Sequence, residues 1–335
     1  VPLQTYESIF SHIESDRKHA GIKSLTLSPV KWFAQTSGTT SAKKKIPVSK
    51  DFIRQNHYYV SRIALFNMIY NFGYLWIIGG KNLSMAGYRY NDIFRGKQVL
   101  DISALLQEQL PVFYKVVNFP NQIFDNWEQK LEYLCDSPRR LGRVNMVSGV
   151  PTWILSLFDK LEDHYQTDIT SILKNFRLLI HGGVNFTNYR DVFKDIFHDR
   201  ELTFYEAYNA SEGFYAIQYR KEGPELMLVT NAAIYYEFRP LDEEEAMPIG
   251  EVETGREYEL IISTPDGLYR YKTGDVVTIH NRDPYLITIT GRTSEFVNAF
   301  GEDLAMNHVN KALKNVADEF AFSIKDFFIV PKYPE

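Results

Sequence analysis

The chain has 335 residues, 44% hydrophobic and 24% charged, a globular composition with room for two or three domains and a sizeable core. Lys plus Arg number 37 and Asp plus Glu 42, a net charge of −5, so no global field attracts nucleic acid or an anionic membrane. The single cysteine, Cys135, excludes an internal disulfide framework and a cysteine-rich zinc site.

No stretch approaches the ~20 apolar residues of a membrane span. The most apolar run, Ile63–Ile78, is broken by Asn67, Asn71 and Gly73. No signal-peptide pattern opens the chain, and the sequons at Asn82, Asn185 and Asn209 read as chance. A reduced cytoplasmic compartment and a monomer are expected. The chain starts at Val1 without Met and stops at Tyr333-Pro334-Glu335, so both ends read as cut.

Asp51–Tyr70 is predicted as a helix, capped by Ser49 or Asp51, with apolar positions at Ile53, Val60, Ile63, Leu65 and Phe66. Leu75–Ile78 reads as a short buried strand ending in Gly79-Gly80. Ile123–Leu134 is helical. Val144–Val147 is a strand running into Ser148-Gly149-Val150-Pro151, and Pro151 suits the first turn of a helix continued by Trp153–His164. Phe176–Ile180 is a strand ending in His181-Gly182-Gly183, Tyr189–Phe197 a helix and Thr203–Tyr208 a strand. This alternation implies a parallel or mixed sheet with helices on its faces, where ligands sit beyond the carboxyl ends of strands. Gly79-Gly80, His181–Gly183 and Asn209–Gly213 are those ends.

The pattern changes after Gly213. Phe214–Arg220, Glu225–Thr230, Ile234–Arg239, Tyr258–Ser263, Tyr269–Lys272, Val276–His280 and Tyr285–Thr290 are short, Tyr/Ile/Val-rich and separated by turn residues. They predict an antiparallel meander or small barrel. Asp303–Asn315 reads as a helix and Phe327–Val330 as a strand, the opening of a further α/β unit.

Five local motifs could carry chemistry. Thr36–Lys45 (TSGTTSAKKK) sets hydroxyls and a glycine before three lysines, donors and charge suited to a polyphosphate, without Walker A spacing. Alone it also reads as a solvated loop with a surface lysine run. Tyr208–Gly213 (YNASEG) offers a ring to stack on a base and a carboxylate, Glu212, for Mg²⁺; alone it is an ordinary strand–turn–strand corner. Gly267–Val277 carries Asp275 on a Gly-containing loop, able to accept from a ribose diol, or simply a β-turn at Thr273–Asp275. Gly291-Arg292, followed by Phe296, Asn298 and Gly301-Glu302-Asp303, offers a hinge and a cation for ribose or phosphate, or a strand end before a helix cap. His181-Gly182-Gly183 leaves backbone bare for a flat ring, with no acid–base role for His181.

In this order and spacing the set resembles the acyl-adenylate-forming superfamily. More narrowly it resembles the auxin-responsive acyl acid–amido synthetase family, as a bacterial-type member. Thr36–Lys45 matches the phosphate loop of that family, with Pro47 and Val48 following. The wider superfamily usually has Gly at Ser41 and Pro at Lys43, departures that favour the amido synthetase branch. Tyr208–Gly213 is similar to its Tyr-x-x-Ser-Glu motif. Gly267–Val277 is similar to its Gly-Leu-Tyr-Arg-Tyr-Arg-x-Gly-Asp-Val-Val segment, with Lys272 in place of Arg. Ser148–Trp153 resembles a Gly-Val-Pro-Ser-Trp segment near the acyl pocket, with Thr152 in place of Ser.

The resemblance implies an α/β fold: a large adenylation domain of mixed α/β sheets, a small antiparallel β-barrel subdomain, and the start of a small mobile C-terminal α+β domain. The boundaries it implies are 1–213, 214–290 and 291–335. It implies that Ser37, Gly38, Thr39, Thr40 and Ser41, with Lys43 and Lys45, hold the β- and γ-phosphates of ATP. Gly182 and Gly183 border the adenine, with Tyr208 and Ser211 beside the nucleotide. Glu212 binds Mg²⁺, Asp275 the ribose hydroxyls, and Arg292 the ribose or α-phosphate region. Val147, Val150, Thr152 and Trp153 line the acyl pocket, together with Phe72–Trp76. The implied catalytic set is Glu212, Lys43, Lys45 and Arg292. The implied reaction activates a small carboxylic acid as its adenylate and passes it to an amino acid amine, with ATP and Mg²⁺ as cofactors. An acid–CoA ligase and a non-catalytic nucleotide- or acid-binding relative remain open at this point, as do the acid, the acceptor amine and the activity of so short a chain.

Overall fold

The computed structural model describes residues 1–15, 26, 28–36, 44–110, 112–187, 189–293, 296–299, 302–305, 309, 312–313, 315–316 and 319–320. β1 (Val30–Gln35) and β2 (Lys45–Ser49) pair antiparallel, with Gln35 opposite Lys45. Lys50–Phe52, Ile53–His57, Tyr58–Phe66 and Asn67–Asn71 follow as one continuous helical rod over 50–71. Ser49 caps it, its side chain accepting from Phe52 N at 3.0 Å. Two of its turns, Ile53–His57 and Asn67–Asn71, are π-helical.

The run Leu75–Ile78 is not a strand. It forms part of a 3₁₀ turn, Leu75–Gly79, with Leu75 and Ile78 about two-thirds exposed and Ile77 buried. The strand is the more polar segment behind it, β3 (Lys81–Ser84). Polar side chains help seat it: Asn82 Nδ2 donates to Asn118 Oδ1 at 2.8 Å and to Ser148 Oγ at 3.0 Å on its two neighbours. β4 (Arg89–Phe94) and β5 (Lys97–Asp101) then form a hairpin over Arg95-Gly96, both at positive φ, the geometry of a tight two-residue turn. The first sheet has the order β2-β1-β5-β4.

The remaining strands extend the sheet that β3 began. β6 (Asn118–Phe119), β7 (Val144–Gly149), β8 (Leu178–His181) and β9 (Thr203–Ala210) lie parallel in the order β6-β3-β7-β8-β9. Val144–Val147 is buried throughout, as a parallel strand covered on both faces requires. Pro151 opens the helix Pro151–Tyr165, whose buried stripe includes Ile154, Leu155, Phe158 and Leu161 and shares a core with Phe176, Leu179, Phe193 and Phe197. The helix expected from Ile123 begins at Trp127, because Asn126 caps it by accepting from Gln129 N.

Beyond β9 the sheet turns antiparallel. β10 (Gly213–Gln218), β11 (Leu226–Leu228), β12 (Tyr235–Pro240), β13 (Met247–Pro248), β14 (Glu257–Ser263), β15 (Tyr271–Arg282) and β16 (Tyr285–Arg292) complete a 12-stranded sheet. β9 pairs with β8 on one side and β10 on the other, so the stretches before and after Gly213 share one sheet. Val276–His280 and the end of Tyr269–Lys272 fuse into β15. A bulge separates them: Glu259 pairs with Val276, but Ile261 already pairs with Lys272. β17 (Phe296–Ala299) and β18 (Glu302–Ala305) form a separate hairpin, so the expected helix from Asp303 starts as a strand instead. Phe327–Val330 lies outside the described residues. Among the described residues no helix is long and apolar enough to cross a membrane.

The rod over 50–71 is pinned at its start. Asp266, 2% exposed, accepts from Ser49 N at 2.6 Å through Oδ2. Its Oδ1 is buried without a partner, and burial raises the carboxyl to about 6. An unfolded Asp titrates near about 3.9. Folding therefore favours the protonated form, and the penalty is fully present above about pH 6 and gone below about pH 4. Asp266→Asn, which keeps an acceptor for Ser49, should stabilise the chain at pH 8 by on the order of 1–3 kcal/mol. Thermal melts from pH 8 to 4 should show that gain vanish on acidification; a pH-independent difference would contradict it.

Candidate active site

The β9–β10 hairpin carries Ser211 and Glu212 in its turn. Gly213 packs closely: a Cβ there would lie 2.6 Å from Ile234 Cδ1, which would have to swing aside. One pleat before the turn, Tyr208 is buried edge-on to Tyr215, ring centroids 4.8 Å apart. Its hydroxyl donates to Asp275 Oδ2, and burial with the adjacent carboxylate drives the phenol well above its usual range.

Asp275 sits at the end of the β15 bulge, which re-aims its side chain toward β9. Gly274 takes φ +81° there, and Thr273 Oγ1 donates to Leu260 O at 2.8 Å and accepts from Asp275 N at 3.1 Å. Across the ladder Arg292 stands opposite, its Nε donating to Asp275 Oδ1 at 2.6 Å. Both carboxylate oxygens of the buried Asp275 are thus occupied, one by Tyr208 and one by the half-exposed Arg292.

Glu212 faces the exit of the hydroxyl-rich loop. Tyr271 Oη lies 3.5 Å from Glu212 Oε1, and Lys44 Nζ donates to the same phenol at 3.2 Å. Burial raises the Glu212 carboxyl, its own backbone N–H and then Lys44 drawing it back down. Thr36 N donates to Lys44 O at 3.1 Å, closing the base of the loop. Ser37, Gly38, Thr39, Thr40, Ser41 and Lys43, all expected to hold phosphates, lie outside the described residues. Lys45 does not join Lys44. Its Nζ pairs instead with Asp92 at 2.7 Å and sits 4.7 Å from the Phe94 ring centroid.

Gly182 lets two strand ends close up, since a Cβ there would lie 2.3 Å from Ala207 O. His181 stacks on Phe186 at 3.6 Å, and burial, then Arg190, lowers its ring to about 3, so it stays neutral. Two residues before Tyr208, on the same face of β9, Glu206 is half-buried and raised by burial to about 7, with Arg190 opposing. The sequence reading missed Glu206, although its spacing from Tyr208 was legible.

The acyl segment divides. Val150 borders the glycine loop, its Cγ2 3.5 Å from where a Gly183 Cβ would be. Thr152 is half-buried and Trp153 exposed at the start of its helix. Val147 instead is fully buried in the core with Ile154 and Leu179. Phe72, Tyr74 and Trp76 pack with Tyr205 on the face of β9 opposite Tyr208. Tyr208, Glu212, Tyr271, Asp275, Arg292 and Lys44 therefore form one site, with Gly182, Gly183 and Val150 along the neighbouring strand ends. Among the described residues no three His, Cys, Asp or Glu side chains cluster as a metal cage.

A family model described as the GH3 family N-terminal domain matches residues 1–87, and the GH3 family central domain matches 227–292. These agree with the family resemblance of the motifs. A jasmonoyl–L-amino acid synthetase of Nicotiana attenuata is 43% identical to this chain over 98 residues, 25% of the chain and 17% of that protein. An indole-3-acetic acid-amido synthetase of Arabidopsis thaliana is 29% identical over 132 residues, 34% of the chain and 24% of that protein. The chain thus matches less than a quarter of the length of either relative. In fold, it superimposes on a GH3 acyl acid amido synthetase solved with 2,4-DB at a TM-score of 0.81, with 16% identity, covering 97% of this chain and 68% of that one. A 2-hydroxyisobutyryl-CoA ligase gives 0.62, with 12% identity, 94% of this chain and 63% of that one.

The close approach at Gly182 is directly testable. Gly182→Ala must push β9 away from β8 and should cost about 1–3 kcal/mol, read as a lower denaturation midpoint. A midpoint equal to the wild type would show that the strands yield freely.

Proposed function

We propose that this chain is the catalytic part of an ATP-dependent, AMP-forming acyl acid–amido synthetase. The carrying observation is convergence: Lys44, Glu212 with Tyr208, Tyr271 and Asp275 with Arg292 come from three separate segments onto one face. The GH3 family matches and the fold likeness to an acyl acid amido synthetase support the same reading. In this reading the carboxylate oxygen of the acid attacks the α-phosphorus and pyrophosphate leaves. The amine then attacks the acyl carbon of the adenylate, and AMP leaves with formation of an amide.

Neither step requires a protein nucleophile; both require charge neutralisation and in-line placement. Lys44 and the loop of 37–43 meet the phosphates. Tyr208 flanks the nucleotide, and the ribose hydroxyls exchange into the Asp275–Arg292 pair. Gly182 and Gly183 leave bare backbone for the adenine, and Val150 with Trp153 begins the acid pocket. Mg²⁺ fits the donor set, because one half-buried carboxylate, Glu212, facing polyphosphate matches an ion that keeps phosphate and water ligands. Bound with ATP, it supplies neutralisation of charge on the departing pyrophosphate. The acid belongs to the class of small carboxylates, the acceptor to amino acids, and the compartment is cytoplasmic.

The test is pyrophosphate exchange into ATP driven by a panel of carboxylic acids, followed by product mass with amino acids or CoA offered. Acid-dependent exchange and an amide product are expected; a thioester would assign the second step to CoA instead, and exchange with no acid would sink the adenylation reading. Glu212→Ala should lower exchange about 10²-fold. Lys44→Ala should lower it far more than Lys45→Ala, because Lys45 is committed to Asp92. Equal losses at the two lysines would reverse the assignment.

A further inference from the structure

The hairpin that presents Glu212 is gripped from behind by a buried side chain outside every motif. Asn56 is 0% exposed, in the first π-helical turn of the rod over 50–71. Its Oδ1 accepts from Phe214 N at 2.7 Å. Its Nδ2 donates to Phe214 O at 3.1 Å and to Ala232 O at 2.8 Å. Both amide hydrogens are used, and Phe214 is two residues from Glu212. His57, equally buried, lies against Asn209 on the other strand of the same hairpin. The second π-helical turn repeats the device at the far end of β10: Asn67 Nδ2 donates to Gln218 O at 2.6 Å and to Tyr205 Oη at 3.2 Å.

The two asparagines differ in what lies beyond them. Asn67 fixes the strand end remote from the turn. Asn56 fixes the end that carries Glu212, from a helix capped by Ser49, the last residue of the β2 strand that begins at Lys45. We infer that Asn56 is a positioning residue, setting the place of the Glu212 carboxylate relative to Lys44 and Tyr271 by holding the backbone of Phe214. This rests on the adenylation reading for the role of Glu212.

Isothermal titration of ATP at stepped Mg²⁺ concentrations tests it without turnover. Asn56→Ala should raise the Mg²⁺ needed for half-maximal ATP binding by roughly 10–100-fold, as loss of a residue behind a metal ligand does. Asn67→Ala should lower the melting temperature but leave that Mg²⁺ requirement at the wild-type value. If Asn56→Ala does not fold, Asn56→Ser, which offers a hydroxyl in place of the amide, carries the same comparison with a smaller shift. Wild-type binding with an unchanged Mg²⁺ requirement in the folded Asn56 variant would overturn the positioning role alone. A wild-type chain that binds no ATP at any Mg²⁺ concentration would overturn the adenylation reading and this role with it.

Discussion

A buried carboxylate needs compensation, and Asp275 obtains it from two directions. At 6% exposure it has given up most of its water. Arg292 restores charge balance across the β15–β16 ladder, and Tyr208 supplies a hydroxyl from β9. Breaking either contact would leave an under-compensated buried charge, a far larger cost than the worth of one surface ion pair. The bulge at Thr273–Asp275, the register of β16 and the placement of Tyr208 are therefore mutually fixed. Asp275 is thus the lock between the β9–β10 and β15–β16 parts of the sheet.

β9 makes that lock possible. It is the last parallel strand and the first partner of the antiparallel series, so its two faces serve different purposes. Glu206 and Tyr208 point to the site face, while Tyr205 packs toward the rod over 50–71. The turn after β9 is short, and Asn56 holds the backbone N–H and carbonyl of Phe214 just beyond it. The chemistry-bearing residues gather where the sheet changes its pairing, at the carboxyl ends of β8 and β9.

Much of this was legible in the sequence where local rules decide. Pro151 at a first helical turn, the Ser49 cap and the buried run Val144–Val147 all follow from residue type. Reading failed where the deciding partner was distant. Leu75–Ile78 has strand composition, but the ladder took Lys81–Ser84 because Asn118 and Ser148 meet Asn82. Glu302–Ala305 likewise pairs with β17 although its composition favours a helix. In the site, Glu212, Tyr208, Asp275 and Arg292 were visible because they sit in motifs. Val147 packs into the core, a face that a motif does not give, and Lys44 stands one residue before β2, where strand alternation gives no guidance.

The rod over 50–71 shows how cost and specificity combine. Buried asparagines are unfavourable unless every polar atom is met. Asn56 meets both its hydrogens and its oxygen with backbone atoms of two segments, a condition that one register of the rod against β10 satisfies. A leucine there would tolerate small slides; an amide with three fixed partners does not. The π-helical turns fit the same logic, since an extra residue in a turn changes which side chains face inward while the axis continues. The core beneath, Val60, Ala64 and Met68 against Ile217 and Phe214, supplies the attraction. The asparagines supply the register, and Asn56 with it the position of the hairpin that carries Glu212.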